Sequence, residues 1–238
     1  MVDILYIVGK DKSQWNDNEL RYSLRSLCKY GRNVGRVYIA GYCPAFVDRS
    51  KITYIKVKDE TNKKHKNILR CILEAVWRSD IGNDFLYSSD DHYYIRETDF
   101  DRYPFYSKGI LPEKGEGQYQ HSLQETRELL EACGLPFVNY SWHGNTHFRR
   151  DLIETPRFQK LCKWSELTED GVEPTCLMLN YWQAVDPFPV TEREDYKSSD
   201  GDITQTLREC VSSAAVIDGH SLADFLRDEF PKKCKYEI

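Results

Sequence analysis

The sequence lacks any long hydrophobic run. Its longest apolar stretches, such as residues 4–8 and 214–217, are far shorter than the roughly 20 residues that a membrane-spanning helix needs. The first residues also lack the basic, apolar and small-residue regions of a secretion signal. We therefore expect a protein without a membrane span that stays in the cytoplasm.

Other features are scarce enough to exclude whole classes of protein. The 8 cysteines are scattered with no C-x-x-C pair, which argues against a zinc module or a disulfide framework and predicts mostly buried thiols. Only 13 glycines and 9 prolines occur in 238 residues, which excludes collagenous and low-complexity chains. A net charge of -5 argues against a uniformly basic surface that coats nucleic acid, although a local basic patch remains compatible with it.

Apolar runs alternate with amphipathic stretches in the first 90 residues. Residues 3–9 (DILYIVG) are typical of a strand buried on both faces of a parallel sheet, and residues 36–41, 52–57 and 84–88 predict three further strands. Helices are predicted between the first two strands and before the last one. This order predicts an α/β fold with a mostly parallel sheet covered by helices on both faces and ligands at the carboxyl ends of the strands.

The pattern loosens beyond about residue 100. Aromatic and glycine-bearing loops follow, with one clear helix predicted from about residue 122 to 133 and shorter elements of unsettled type. No repeat and no linker rich in Gly, Ser or Pro marks a domain boundary. We predict one domain over residues 1–238, with a ligand-binding half over about 1–100 and an irregular acceptor-side half over about 101–238.

The sharpest chemical feature is the run FLYSSDDH at residues 85–92, in which an apolar strand ends in Asp90, Asp91 and His92. Adjacent carboxylates repel one another unless a cation or hydrogen-bond donors offset the repulsion, and oxygen ligands suit Mg²⁺ or Mn²⁺. The alternative is that the two aspartates simply begin a turn. We favour a metal site that also binds a diphosphate.

This strand end resembles the DxD-type motif of nucleotide-sugar-dependent transferases with the GT-A fold. The resemblance is closer to the Stealth group of sugar-phosphate transferases, whose first helix reads close to NELRYSLRS, as residues 18–26 do here. Residues 85–91 are similar to that group's FIYLNDD element, and residues 142–144 resemble its later HG-containing segment. The matches cover roughly the first 100 residues and imply a GT-A-like fold that binds a nucleotide sugar.

The resemblance implies roles for several of these residues. Asp91 would coordinate the metal and act in catalysis, and Asp90 would contact the metal or the ribose of the donor. His92 is a donor-binding candidate of lower rank, because a histidine beside a strand end more often contacts the ligand-binding residues than the ligand itself. Gly9 and the loop that it begins, residues 9–15, would line the nucleotide pocket, with simple strand termination as the alternative for Gly9. Arg21 is a donor-binding candidate only through the resemblance, because most such arginines are solvated or ion-paired.

A basic cluster at residues 61–67 (TNKKHKN) enters the second predicted helix. Lysines at a helix N-terminus are suited to a diphosphate, although such a cluster is more often a solvated loop. We rank His65 and Lys66 as donor-binding residues, ahead of Lys63 and Lys64.

Three residues of the second half predict an acceptor site, because sugars pack on aromatic rings and need polar partners: Trp142, His143 and His147. Gly144 between the histidines argues against a helix and hence against a zinc site. Glu173 precedes a proline and an apolar segment, so it is either a general base for an acceptor hydroxyl or a helix cap. His220 is a candidate late metal ligand, by resemblance to GT-A enzymes.

The sequence therefore predicts a glycosyltransferase that uses Mn²⁺ or Mg²⁺ to move a sugar from a nucleoside-diphosphate sugar to a hydroxyl of a saccharide or another acceptor. The first alternative is a Stealth-like transfer of hexose 1-phosphate that releases a nucleoside monophosphate. The second alternative is a non-catalytic carbohydrate-binding protein. A glycosylated DNA base as acceptor is compatible with a local basic patch, and no sequence signal indicates an oligomeric state.

Overall fold

A computed structural model describes residues 1–10, 13–135, 138–193, 210–212 and 218–238 of the chain. Its strands are β1 (Val2–Val8), β2 (Gly31–Arg32), β3 (Val34–Gly41), β4 (Thr53–Lys56), β5 (Asp84–Ser89), β6 (His92–Tyr94), β7 (Thr98–Asp99), β8 (Tyr106–Ile110), β9 (Tyr140–Trp142), β10 (Thr146–Arg149), β11 (Thr191–Glu192) and β12 (Cys210–Ser212). Its helices are α1 (Asn18–Tyr30), α2 (Lys64–Arg78), α3 (Gly117–Ala132), α4 (Arg150–Ile153), α5 (Pro156–Ser165), α6 (Pro174–Val185) and α7 (Ser221–Glu229).

The main sheet has the strand order β10-β5-β1-β3-β4. Strands β5, β1, β3 and β4 are parallel, and β10 runs antiparallel to β5 at the edge. The four strands predicted from apolar runs are all present, with ends that differ by one or two residues. Because α1 and α2 connect successive parallel strands, the carboxyl ends of β1 and β5 open at the same edge of the sheet.

Successive side chains of β1 pack alternately into two hydrophobic cores, one on each face of the main sheet. Ile4 and Tyr6 pack on one face of the sheet against the apolar side of α1, which includes Leu24. Leu5 packs on the opposite face, in a core that contains Ile72 of α2 and residues of α3, α5 and α6. Since successive strand residues point to opposite faces, an uninterrupted apolar strand requires helices on both sides. The prediction of a mostly parallel α/β sheet with both faces covered is confirmed.

The second half of the chain returns to the main sheet. Strands β11, β8 and β9 form a separate three-stranded sheet, whereas β10 completes the main sheet beside β5. Helix α3 begins at residue 117, five residues before the predicted start, after a glutamate that makes no side-chain cap. The predicted division near residue 100 stays a prediction, and the two halves share the main sheet. Among the described residues, no helix is long and apolar enough to cross a membrane.

Residues 218–238 pack against α1 and the segment that follows β3. Glu237 binds Arg25 through two hydrogen bonds of 2.6 and 2.8 Å, and its side chain is only 1% exposed. The backbone amides of Asp48 and Ile238 extend this contact by bonding to the carbonyl oxygens of Tyr236 and Phe46. A buried ion pair therefore fastens the last residues of the chain to the first helix.

This ion pair predicts an acid-dependent loss of stability that Glu237→Gln removes. Burial alone raises the pKa of Glu237, but the hydrogen bond from Arg25 and the backbone amide of Cys234 outweigh it, so its pKa is lowered. The pair therefore stabilises the folded chain above the ordinary carboxyl pKa of about 4.3, and the stabilisation is lost as the pH falls through the lower folded value. Urea unfolding from pH 6 to 3 is expected to show a shallower decline in the variant; parallel curves would contradict this assignment.

Candidate functional site

A cleft of about 430 Å³ opens at the carboxyl ends of β1 and β5, between the starts of α1 and α2. Its volume lies in the range of small-molecule sites, and its position is where ligands bind in open parallel sheets. The residues that line it are Ile7, Val8, Gly9, Ser13, Gln14, Glu19, Asp59, Thr61, Asn62, Lys64, Asn67, Ile68, Cys71, Asp90, Asp91 and Gln118. Asp11 and Lys12, within the predicted nucleotide loop, lie outside the described residues.

Asp90 and Asp91 form the turn between β5 and β6 and face this cleft. Asn145, which is 2% exposed, holds the end of β5: its Oδ1 accepts a hydrogen bond of 3.1 Å from the amide of Ser89, and its Nδ2 donates one of 2.9 Å to the hydroxyl of Tyr94. Nδ1 of His92 lies 3.1 Å from Oδ1 of Asp91. The sheet and a buried amide therefore fix the position of both carboxylates.

The two carboxylates differ in how strongly they hold a proton. Burial in the cleft and the adjacent charge of Asp91 raise the pKa of Asp90 to about 7. Burial also acts to raise the pKa of Asp91, but its hydrogen bond with His92 and the charges of His92 and Lys64 lower it overall. Two adjacent carboxylates are therefore held together with incomplete compensation from nearby positive charge, an arrangement that a divalent cation would relieve.

The donor atoms at this turn fit Mg²⁺ or Mn²⁺. Both ions prefer carboxylate oxygens, and Mg²⁺ is commonly held by one or two carboxylates together with water and substrate phosphates. Over the described parts of the chain, no three His, Cys, Asp or Glu side chains converge to form a complete metal site. His220 lies directly before α7 and is not among the residues that line the cleft. Phosphates of a bound donor and water are ligands that would complete the coordination of such an ion.

The start of α1 brings another carboxylate into the cleft. Asp17 occupies the cap position of α1 with a left-handed backbone (φ 60°) and makes no side-chain cap. Instead, the hydroxyl of Ser13 accepts a hydrogen bond of 2.6 Å from the amide of Asp17 and donates one of 2.6 Å to Glu19. Ser13 therefore organises the turn that holds Glu19 at the cleft wall.

The structure places some of the predicted donor-binding residues at the cleft and others elsewhere. Gly9, Asp90 and Asp91 line it. Arg21 instead lies 3.5 Å from Glu237 and stacks over the ring of Phe46 at 4.3 Å, so it belongs to the contact with the last residues of the chain.

The basic cluster contributes a different lysine from the one the sequence ranked first. Lys64 lines the cleft, whereas Nζ of Lys66 donates hydrogen bonds to the carbonyls of Glu166 and Thr168. His65 is 5% exposed, and its Nδ1 lies 2.7 Å from the hydroxyl of Ser122. Since α2 begins at Lys64, each following residue turns about 100° around the helix axis, and the next two side chains point away from the cleft.

The predicted acceptor residues are not among those that line the cleft. Trp142 is 1% exposed, and Nε2 of His143 lies 2.6 Å from the carbonyl of Arg193. His147 bonds to Asp84 at 2.8 Å, at the opposite end of β5 from the two aspartates. Gly144 lies nearest the site, because a Cβ there would come within 3.2 Å of both Ser89 Oγ and His92 Cε1.

Glu173 caps the helix that its neighbouring proline predicts. Its Oε2 accepts a hydrogen bond of 2.7 Å from the amide of Cys176 and another from the hydroxyl of Thr175, and the residue is 9% exposed. This is the capping alternative of the sequence analysis, realised at the first turn of α6. A role as general base stays a prediction.

The predicted nucleotide loop does supply Ser13 and Gln14, and Lys64 was ranked below Lys66. The sequence reasoning singled out none of the other polar residues of the cleft wall: Glu19, Asp59, Thr61, Asn62, Asn67 and Gln118. The predicted start of α2 was the available signal for Lys64, because the amino end of a helix is a common binding site for an anion. For Gln118, which precedes the predicted start of α3, no local pattern indicates a place in the cleft.

No protein-family model matches the chain, and no curated protein sequence matches it. The fold is similar to solved structures of LgtC. A structure of an active-site mutant of LgtC aligns with a TM-score of 0.55 and 14% identity over 98% of both chains. A structure of the galactosyltransferase LgtC in complex with donor and acceptor sugar analogs aligns with a TM-score of 0.55 and 13% identity, also over 98% of both chains. The chain therefore has an α/β fold like that of the GT-A enzyme LgtC over nearly its whole length.

Proposed function

We propose that the chain is a glycosyltransferase that moves a sugar from a nucleoside-diphosphate sugar to an acceptor hydroxyl, with Mn²⁺ or Mg²⁺ held at Asp90 and Asp91. The observation that carries the proposal is the pair of adjacent carboxylates at the carboxyl end of β5, on a cleft of about 430 Å³. The fold supports it, because the similar protein LgtC is a galactosyltransferase solved with donor and acceptor sugar analogs.

Three groups of cleft residues would bind different parts of the donor in this reaction. Asp90 and Asp91 offer carboxylate oxygens, and a bound divalent ion would neutralise the departing diphosphate. Lys64, at the amino end of α2, would bind the same diphosphate through its positive charge, and the partial positive charge of the helix end would add to this attraction. Gly9, directly after β1, lets the donor approach the backbone closely.

The acceptor would enter beside the turn at Gly144. This turn packs against Ser89 and His92, next to the two aspartates, and His143 supports it by packing on Tyr106 with ring centroids 5.4 Å apart. Trp142 is only 1% exposed, so it is too deeply buried to contact an acceptor in this conformation.

A Stealth-like transfer of hexose 1-phosphate is the second candidate. The observation that favours it is the position of Glu19, which belongs to the NELRYSLRS segment and lines the cleft. The two reactions differ in their nucleotide product. Glycosyl transfer releases a nucleoside diphosphate, whereas sugar-phosphate transfer releases a nucleoside monophosphate.

The experiment that tests the proposal is a thermal-shift panel of UDP-, GDP-, ADP- and CMP-sugars with and without Mn²⁺. Ligand at about 100 times its Kd stabilises the folded chain by about 2.7 kcal/mol, which for this size corresponds to a rise in Tm of roughly 5–10 °C. A Mn²⁺-dependent rise with one nucleotide, followed by release of its diphosphate, is the expected result. Release of the monophosphate would favour the Stealth-like reaction, and binding without turnover a carbohydrate-binding protein.

Lys64 and Lys66 form a matched pair for a second test. Lys64→Ala is expected to weaken binding of the donor about tenfold or more, because a hydrogen bond to a charged group contributes about 1.5–3 kcal/mol. Lys66→Ala removes two hydrogen bonds to backbone carbonyls and is expected to lower Tm without changing donor affinity. Titration calorimetry with the donor found in the panel measures both. Equal affinities in the two variants would place the donor away from the start of α2.

A further inference from the structure

Two cysteines from distant parts of the sequence meet at the surface of the protein. Cys28, in the last turns of α1, is exposed, and Cys234, after α7, is half-buried. The two thiols are near enough for each to shift the pKa of the other. Both side chains line one open cavity of about 270 Å³, together with Leu27, Val34 and Tyr236. This cavity gives solvent and small thiol reagents access to the pair.

The ion pair between Arg25 and Glu237 positions the two cysteines on either side of it. Arg25 lies three residues before Cys28, so the two side chains share a face of α1. On the other side, the amide of Cys234 donates a hydrogen bond of 3.0 Å to Oε1 of Glu237, and the amide of Glu237 donates one of 3.1 Å to the carbonyl of Cys234. Because these bonds involve a glutamate that is 1% exposed, a buried contact fixes both cysteines at the same cavity.

The surroundings make the two thiols unequal. The hydrogen bond from Cys234 lowers the pKa of Cys28 despite the opposing effect of burial, and the charge of Lys235 acts in the same direction. The same hydrogen bond and burial raise the pKa of Cys234. A thiolate is the nucleophile in thiol–disulfide exchange, so Cys28 has the character of an attacking thiol and Cys234 that of a resolving one.

We propose that Cys28 and Cys234 are a redox-active pair that forms a reversible disulfide between α1 and the last residues of the chain. With a glutathione disulfide as oxidant, the Cys28 thiolate attacks one sulfur, a mixed disulfide forms and one glutathione leaves as a thiolate that takes up a proton. Cys234 then loses its proton and attacks the Cys28 sulfur, and the second glutathione leaves in the same way. Two protein thiols are oxidised and one glutathione disulfide is reduced to two thiols.

This bond differs from the structural disulfides that the scattered cysteines argued against. In the cytoplasm predicted from the sequence, glutathione keeps thiols reduced, and disulfides there are usually transient or regulatory. The bond would close a loop that spans most of the chain, from α1 to Cys234, and such a loop restricts the unfolded state. Oxidation would therefore stabilise the contact between α1 and residues 218–238, whatever reaction the cleft performs.

The test oxidises the full chain with glutathione disulfide, blocks the remaining thiols by alkylation and maps the peptides by mass spectrometry. The expected product links Cys28 to Cys234 and raises Tm by roughly 5–10 °C, and dithiothreitol reverses both. Cys28→Ser is expected to abolish the link. Cys234→Ser is expected to stop at a stable glutathione adduct on Cys28. Cys133→Ser, which changes another partly buried cysteine, is expected to form the link as the unmodified chain does.

Two results would overturn the proposal, provided that circular dichroism shows the chain to be folded. One is that both cysteines remain fully alkylatable after excess oxidant. The other is that the unmodified chain keeps a glutathione adduct on Cys28, which would mean that Cys234 does not resolve it. Alkylation rates in the reduced chain give a second measurement, because Cys28 is expected to react faster than Cys133, whose pKa is raised by burial.

Discussion

Asp91→Asn is expected to reduce metal-dependent donor turnover by at least about 100-fold. The substitution removes the carboxylate whose pKa the structure holds low and leaves Asp90 as the single carboxylate of the β5–β6 turn. A metal that neutralises a departing diphosphate supplies several kcal/mol of transition-state stabilisation, and each 1.36 kcal/mol corresponds to a factor of ten. Steady-state assays of nucleotide release at saturating Mn²⁺ measure the effect.

Asp84→Asn is the matched control. Asp84 begins β5, at the opposite end from the turn that contains Asp91, and is 57% exposed in its bond to His147. It is expected to retain near-normal turnover. Asp91→Asn itself is expected to fold, because the lost ionic contact with His92 is offset by relief of the repulsion between adjacent carboxylates. Turnover that is unchanged in Asp91→Asn would contradict the metal role of this turn, and a folded variant with lost turnover would show that the loss is not a folding defect.

Gly41→Ala is expected to destabilise the fold by about 3 kcal/mol or more. Gly41 ends β3 with φ 104°, a conformation that side chains rarely adopt, and a Cβ there would overlap the carbonyl oxygen of Val8. That oxygen accepts a hydrogen bond of 2.8 Å from the amide of Tyr42, so β1 cannot move aside without loss of the bond. Backbone strain of this kind costs roughly 1–3 kcal/mol before the overlap is added. Urea unfolding measures the difference.

Gly134→Ala is the control that measures the cost of a positive φ without the steric overlap with another backbone atom. Gly134, just after α3, also has a positive φ of 55°, but a Cβ there meets nothing within 4 Å. It is expected to cost only about 1–2 kcal/mol. Because Val8 precedes Gly9 at the cleft, Gly41→Ala is also expected to weaken donor binding, whereas Gly134→Ala is not. Equal losses of stability in the two variants would show that the contact with Val8 relaxes without cost.

The main sheet was predictable because its signal is local. A strand buried on both faces is apolar along its whole length, so residues 3–9 and 84–88 indicate strands without knowledge of their partners. The motif at Asp90 and Asp91 was predictable for the same reason, because charged residues directly after a buried strand must lie where that strand leaves the sheet, at its carboxyl end. Amphipathic spacing likewise indicated α1, because its apolar face repeats within a few turns.

The remaining site residues depend on geometry that no short window contains. The choice between Lys64 and Lys66 depends on the residue at which α2 begins, and neighbouring residues on a helix point in different directions. His147 faces Asp84 because β10 pairs antiparallel with β5, an arrangement set by residues far apart in the sequence. Arg21 is turned toward Glu237 by a segment that follows it by more than 200 residues.

The position of β10 also affects how the chain folds during synthesis. Until β10 is made, about 60 residues after β5, β5 has an unpaired edge made of Phe85, Leu86 and Tyr87. At about 5–20 residues per second, the ribosome leaves this edge open for roughly 3–12 s. An open apolar strand edge is a template for pairing with other chains. Nascent chains that end before β10 should therefore depend on chaperones, and those that extend beyond residue 149 should depend on them less.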